Sequence, residues 1–253
     1  MGLILLPHQV RIVLRPPIDH RHTGQVEIAV RRVDFGYFVR PAEETGTGAA
    51  RVEPCLGYLV EHPDGLLLVD TGMGSSPEID THYRPRRRPL VTALAAAGAR
   101  TQEVQWVGNC HLHFDHCGGN PQLPGRTVFT QRVELAATRG EDYTLPELVD
   151  VPGLSYEELD GEAEVLPGVL VIPTPGHTAG HQSVVVLRRD GTVVVAGQSH
   201  DTATAYSADA LAWRAVADGH PPPLPRPPAW LDRLERLDPA RVVFAHDHAV
   251  WEP

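Results

Sequence analysis

The sequence predicts an α/β fold in which two sheets pack together with helices on their outer sides. Three observations predict it. Short apolar runs that read as hairpin-like strands recur along most of the chain, and separated helical patterns fall between them. With 253 residues and 42% hydrophobic content, the chain can bury a substantial single core. No low-complexity linker divides it, so residues 1–253 are expected to form one domain.

Taken in order, strands are expected near 10–15, 26–33, 55–61, 66–70, 104–110, 126–130, 165–172, 183–188, 192–196 and 241–245. These are short apolar segments bounded by glycine, proline, aspartate or histidine. Leu66 to Val69 runs into Asp70-Thr71-Gly72, and Val104 to Cys110 runs into His111. Val169 to Ile172 and Ser183 to Leu187 flank a Gly/Pro-rich loop. Thr192 to Ala196 ends at Gly197, and Arg241 to Ala245 ends at His246. Helical periodicity is expected near 89–98, 130–138, 207–218 and 229–237. Pro221 to Pro228, with six prolines in eight residues, reads as a stiff connector into the last helix.

Composition narrows the function classes. Lys plus Arg number 22 against 32 for Asp plus Glu, a formal charge of −10. Such a chain repels phosphate backbones, so a nucleic-acid partner is not expected. The local exception, Arg84-Pro85-Arg86-Arg87-Arg88, reads first as a solvated loop and secondarily as an anion-facing lid. Met1 to Pro7 is too short an apolar run for a signal peptide, and no stretch reaches the ~20 apolar residues of a membrane span. Three cysteines, Cys55, Cys110 and Cys117, give no disulfide framework, which suits a cytoplasmic location. Cys117 adjoins a histidine-rich motif, but its ordinary reading is a small buried hydrophobe. A homodimer is compatible with the sequence and is not required by it.

The densest chemistry lies in His111-Leu112-His113-Phe114-Asp115-His116. Three imidazoles and a carboxylate fall within six residues, directly after a strand-like run. In an extended backbone residues two apart share a side, so His111 and His113 can grip one ion. If the chain then turns, Asp115 and His116 can face a second. Neutral imidazole and carboxylate suit zinc or a similar divalent metal. Scattered surface histidines are the ordinary alternative, and this density argues against it. The helical two-histidine zinc motif is excluded, because it needs histidines four apart.

A catalytic zinc site wants three protein ligands and an open position, so further histidines are expected downstream. Thr174-Pro175-Gly176-His177-Thr178-Ala179-Gly180-His181 supplies two in a loop between strands, and His246-Asp247-His248 follows the last strand. Of 14 histidines, eight sit in these clusters or at His200, each just after a strand-like segment. Loops at the ends of a rigid sheet are where metal and catalytic residues are carried.

These segments together resemble the metallo-β-lactamase fold superfamily. His111 to His116 fits its HxHxDH signature, Pro175 to His181 its later PGHTxGH segment, and Leu66 to Gly72 its early strand ending in Asp-Thr-Gly. The resemblance spans roughly Cys55 to His246. HLHFDHCGGN, PGHTAGHQS and the terminal FAHD are most similar to bacterial N-acyl-homoserine lactonases. The resemblance implies the αβ/βα sandwich, two mixed sheets with helices on the outer faces. It also implies that His111, His113 and His177 hold a first metal and that Asp115, His116 and His246 hold a second. One or two zinc ions per chain, or other divalent metals, would then acidify a water to give a hydroxide nucleophile. Asp115, at that water, is the expected proton-transfer residue. Asp70 is expected to orient a ligand imidazole without touching metal, and His181 and His248 match no ligand position, so they read as hydrogen-bonded structural histidines.

One position departs from the family pattern. Where the pattern has Gly-Asp after the strand at 192–196, with the aspartate bridging both metals, this chain reads Gly197-Gln198-Ser199-His200-Asp201. A neutral amide cannot bridge as a carboxylate does, so the second ion is expected to be held less tightly. Gln198 could donate its carbonyl oxygen as a substitute, Asp201 or His200 could swing in, or one metal could suffice. Tyr206, eight residues after Gln198, lies further along than the tyrosine the lactonases place near the lactone.

Three functions arise as expectations. The first is a metal-dependent hydrolase opening the ring of N-acyl-homoserine lactones, small-molecule signals, as in quorum quenching. The second is a hydrolase of the same family acting on thioesters, β-lactams or other esters, since each needs the same attack on a carbonyl. The third is a metal-binding protein with degraded catalysis, motivated by Gln198. Substrate choice is expected to rest on loops around 20–50 and 140–156.

Overall fold

A computed structural model describes residues 27–140, 143–221 and 226–253. The strand expected near 10–15 and part of the proline connector lie outside the described residues. The described strands form two mixed sheets. The first contains β1 (Ala29–Arg40), β2 (Arg51–His62), β3 (Gly65–Val69), β4 (Arg86–Arg87), β5 (Val104–Gly108), β6 (Thr127–Gln131) and β7 (Ser155–Leu159), in the order β4-β1-β2-β3-β5-β6-β7. The second contains β8 (Ala163–Leu166), β9 (Val169–Pro173), β10 (Gln182–Val186), β11 (Thr192–Val195) and β12 (Pro239–Val243), in the order β12-β11-β10-β9-β8. The α-helices are α1 (Pro77–Tyr83), α2 (Leu90–Ala96), α3 (Phe114–Cys117), α4 (Arg132–Ala137), α5 (Pro146–Val149), α6 (Ala203–Ala217) and α7 (Leu231–Glu235).

Period-two alternation decides which side chains meet where. In β3, Leu67 and Val69 face the second sheet, whereas Leu66 and Leu68 face α2. In β9 and β10, Val169, Val171, Val184 and Val186 join Leu67 and Val69 in the layer between the sheets. Their neighbours Leu170, Ile172 and Val185 turn outward onto α6 and α7, against Ala210, Leu231 and Leu234. The result is helix, sheet, sheet, helix, the layered arrangement expected. Each fully buried valine or leucine contributes roughly 1.5–3 kcal/mol. That exceeds the ~0–1 kcal/mol of an exposed ion pair, so these three apolar layers carry the stability.

Strand direction, more than strand order, positions the functional loops. β3, β5 and β6 are parallel, and β9 and β12 both run parallel to β11. Their carboxyl ends therefore release loops in a common direction within each sheet.

Several expected elements need correction. The strand expected over 165–172 is two strands, β8 and β9, paired antiparallel around a turn at Pro167-Gly168. β1 extends to Arg40 through a register shift between Asp34 and Tyr37. Periodicity announces neither α1 nor β7. α1 is signalled locally, with Ser76 accepting the Ile79 N–H as N-cap and Pro77 in the first turn. β7, Ser155-Tyr-Glu-Glu-Leu159, is a mostly polar edge strand without an apolar run.

Candidate metal centre

After β5 the chain bends at Cys110 and His111 before it reaches His113, whose φ of −70° and ψ of 160° make it the N-cap of α3. The segment Thr71 to Gly74, following β3, lies across this turn. Thr71 N–H donates to His116 O (2.8 Å), Gly74 N–H to Phe114 O (2.7 Å) and Gly118 N–H to Gly72 O (2.8 Å). The approach is so close that a Cβ on Gly118 would lie 1.9 Å from the Gly74 nitrogen. The histidine-bearing turn is therefore held by backbone on one side.

On the other side it is held by Glu134, which is fully buried at the start of α4. Its carboxylate accepts the Leu112 N–H (2.8 Å), the Thr178 hydroxyl (2.7 Å) and the Tyr143 hydroxyl. Glu134 thus joins the 111–116 turn to the 174–181 loop, and the Tyr143 ring lies 4.8 Å from that of His113. Sequence reasoning did not single out Glu134, because a lone glutamate in a helical stretch reads as surface.

His111, His113 and His177 come together, although 64 residues separate the last two. His111 Nε2 lies 3.0 Å from His113 Nδ1, and His177 Nε2 lies 3.2 Å from the same atom. His111 is fully buried, His113 is half-buried and His177 is the exposed member. Behind His111, its Nδ1 is 3.2 Å from the Cys110 sulfur, which is also 3.2 Å from His116 Nδ1.

Asp115, His116, His246 and Gln198 form a second cluster beside the first. His246 Nδ1 lies 2.9 Å from the Pro54 carbonyl, and His116 Nδ1 lies 3.0 Å from Asp70 Oδ2. Both partners only accept, so each Nδ1 carries the hydrogen, and in the neutral rings each Nε2 presents a lone pair. Those two Nε2 atoms are 3.2 Å apart. Asp115 Oδ2 is 3.6 Å from one and 3.4 Å from the other, and Gln198 Oε1 is 3.3 Å from His246 Nε2. Four electron-pair donors thus converge with no hydrogen of a neutral ring between them.

Electrostatics agree with that geometry. Burial, then repulsion from neighbouring imidazoles, pushes His111 well below an ordinary histidine. His246 is lowered to about 4, chiefly by burial and against the pull of Asp115. Both rings are therefore neutral, as ligands must be. His116 moves the other way: burial opposes the charge, but Asp115 and Asp70 outweigh it. Asp115 sits at about 2, because His116, His246 and His113 overcome the cost of burying it. It is ionised throughout neutral pH. Nitrogen and oxygen donors in this arrangement, short of positive charge, fit divalent cations such as zinc.

The remaining histidines have other partners. His181 lies 2.8 Å from the Thr174 hydroxyl through Nδ1, and its Nε2 accepts the Gln198 N–H at 3.0 Å, so no lone pair is spare. Gly197 makes this contact feasible, since a Cβ there would lie 2.4 Å from Cys110 Cβ. His200 Nε2 lies 3.2 Å from Asp209 and faces neither cluster. His248 corrects the expectation of a hydrogen-bonded ring: it is exposed, and its backbone oxygen receives Arg32. Tyr206 is fully buried behind the second sheet, with its hydroxyl on Glu235. Cys117 packs with Leu112, Leu148 and Val149 as a small hydrophobe. The arginine run is not simply solvated, because Arg87 donates to Gly74 O at 2.9 Å and Arg88 pairs with Asp34 at 3.1 Å.

Comparisons with known proteins agree with the geometry. The sequence profile of the metallo-beta-lactamase superfamily matches residues 50–246. An N-acyl homoserine lactonase of Bacillus cereus is 34% identical over 149 residues, 53% of this chain and 58% of that protein. The N-acyl homoserine lactonase AttM of Rhizobium johnstonii is 30% identical over 164 residues, 56% of this chain and 62% of that protein. The match thus spans about three fifths of the length of these curated relatives. Among solved structures, a quorum-quenching N-acyl homoserine lactone hydrolase superposes with a TM-score of 0.66 at 25% identity, over 88% of this chain and 93% of that one. The dizinc quorum-quenching lactonase AidC shares the fold, with a TM-score of 0.60 at 16% identity over 88% of this chain and 89% of that one.

Proposed function

The chain belongs to the metallo-beta-lactamase superfamily, and from that membership we propose that it is a metal-dependent hydrolase that opens the ring of N-acyl-homoserine lactones. The observation that carries this reading is the convergence of nitrogen and oxygen donor atoms from loops of both sheets: His111, His113 and His177 in one cluster, Asp115, His116 and His246 in the next. These residues would hold divalent cations, zinc first among them, which when bound would supply Lewis acidity and lower the pKa of nearby water toward neutrality.

The chain's own residues do the rest. Asp115, ionised and 6% exposed, is placed between the clusters to accept a proton from the attacking water. As the new C–O bond forms at the lactone carbonyl and the ring C–O bond breaks, the same carboxylate returns that proton to the departing alkoxide. Asp70 fixes His116 through Nδ1, so that Nε2 faces the site. Gln198 Oε1 takes the position of a family carboxylate but brings no charge. The second cluster therefore holds its ion less tightly than the first, and Gln198→Asp raises metal content. A small-molecule substrate and a cytoplasmic location accord with the acidic net charge and with three free, buried thiols. No helix among the described residues is long and apolar enough to cross a membrane.

The test is a hydrolysis panel of homoserine lactones, glutathione thioesters and β-lactams, run with and without chelator. Lactone opening that stops with chelator is the expected result. Turnover of thioesters or β-lactams alone would move the substrate class, and metal binding with no turnover would make this a non-catalytic member of the family. Metal analysis of protein purified without added zinc checks the strength of the second cluster; two tightly held ions per chain would refute its weakness.

A further inference from the structure

Gln198 has an amide that is 3% exposed and has two unlike ends. One end lies 3.3 Å from His246 Nε2, and the other lies 3.5 Å from Asp201 Oδ1. An ionised carboxylate only accepts hydrogen bonds, so the end beside Asp201 is the NH2 group and the opposite end is the oxygen. The direction of the amide is therefore set by Asp201.

Asp201 is itself held. Its Oδ2 accepts Arg51 Nη2 at 2.9 Å, and Arg40 Nη1 stands 3.6 Å from its Oδ1. Both arginines also hold Glu53, which is 2% exposed: Arg40 at 2.9 Å and Arg51 Nε at 2.6 Å. Two cations and two carboxylates from β1, β2 and the turn before α6 form a closed, charge-balanced clamp. For Asp201 to swing in as a ligand it would have to leave both arginines, abandoning charge-assisted bonds on a framework anchored by a buried glutamate.

We infer that Asp201 is a positioning residue for the second metal cluster: clamped by Arg51 and Arg40, it turns the Gln198 amide so that its oxygen, and not its NH2 group, faces His246, His116 and Asp115. The inference rests on the two-cluster reading above and deepens it. The family carboxylate is thereby replaced by a pair, in which Gln198 donates oxygen and Asp201 holds that oxygen in register. Because the arginines balance the charge of Asp201 and Glu53, the pair supplies direction without adding negative charge. An amide freed to turn over would present two N–H groups to the cluster and oppose a cation.

The test is a calorimetric titration of the metal-stripped protein with zinc, using wild type, Asp201→Ala, Gln198→Ala and the double variant. Wild type should bind one equivalent tightly and a second more weakly. Asp201→Ala should weaken the second event about tenfold or more and leave the first unchanged, in the range seen when a group behind a metal ligand is removed. In the Gln198→Ala background the same substitution should add less than about twofold, because Asp201 acts only through the amide. Arg51→Gln, which loosens the clamp but leaves Asp201 in place, should weaken the second event by a smaller factor. It also serves if Asp201→Ala does not fold. A loss that persists without Gln198 would make Asp201 a ligand and overturn the inference. So would a second event indifferent to both Asp201→Ala and Arg51→Gln. A wild-type chain with no second event would overturn the two-cluster reading itself, and this inference with it.

Discussion

Asp70 adopts a left-handed backbone conformation, φ 59°, directly after β3. Aspartate and asparagine tolerate that region better than other side-chain-bearing residues. From there one carboxylate serves two groups, the Cys110 N–H at 2.9 Å and His116 Nδ1 at 3.0 Å. Asp70→Asn keeps the backbone conformation but can satisfy only one of them as acceptor, so His116 loses its fixed tautomer. We expect a ~10–100-fold loss of affinity for the second metal equivalent with the first little changed. Competition against a coloured chelator measures it, and unaltered affinity would remove Asp70 from this role. The thiols make a simpler case. Cys55, Cys110 and Cys117 are all buried, and burial raises each thiol pKa. A thiol-specific chromogenic reagent should therefore find none in the native chain and all of them after denaturation; any titre before unfolding would contradict the buried placement.

At the level of elements, the turn around α3 depends on Gly118. A methyl group there would meet Gly74 nitrogen at 1.9 Å, and the next nearest atoms, on Met73 and Gly72, are backbone too. Gly118→Ala should destabilise the chain by roughly 3 kcal/mol, the upper end of ordinary overpacking, and lower metal content with it. Urea unfolding reads the first effect, and a loss under ~1 kcal/mol would mean the two segments can part. The same turn marks how much of the fold was legible. β3, β5, β9, β10, β11 and β12 were readable because each is an apolar run closed by a residue that ends strands. β7 was not, because Ser155 to Leu159 is polar and owes its strand to pairing with β6. Nor did composition separate β8 from β9, since one apolar stretch continues through the Pro167-Gly168 turn. The clustered histidines were legible for a different reason: few other uses exist for so many imidazoles after strands. Glu134, Arg40, Arg51 and Glu53 were not. Nothing local distinguishes a buried carboxylate or guanidinium from the solvated kind until its partners arrive from other strands.

Across the whole molecule, neutral buried histidines make stability depend on pH once metal is removed. An unfolded histidine takes a proton near pH 6.5, whereas His246 in the native chain resists until about 4. Between those values the unfolded chain binds more protons, so stability falls as pH falls. His246 alone contributes a loss of about 3 kcal/mol by pH 4. His111 and His181 add in the same direction. His116, raised above its ordinary value, works oppositely: its share is full below 6.5 and is lost as pH rises. The melting temperature of chelator-treated protein should therefore drop from about pH 6.5 to about 4.5, and a flat profile would contradict the burial of these rings.

The ligand loops also have a mechanical consequence. His111, His113, Asp115 and His116 hang from one sheet, whereas His177 and His246 hang from the other. An ion gripped by both would act as a rivet through the seam of the sandwich, so thermal endurance would become a function of the ambient divalent metal. At a free concentration about a thousandfold above its dissociation constant, such a rivet would add about 4 kcal/mol. A chain stripped of such an ion would be looser across that seam.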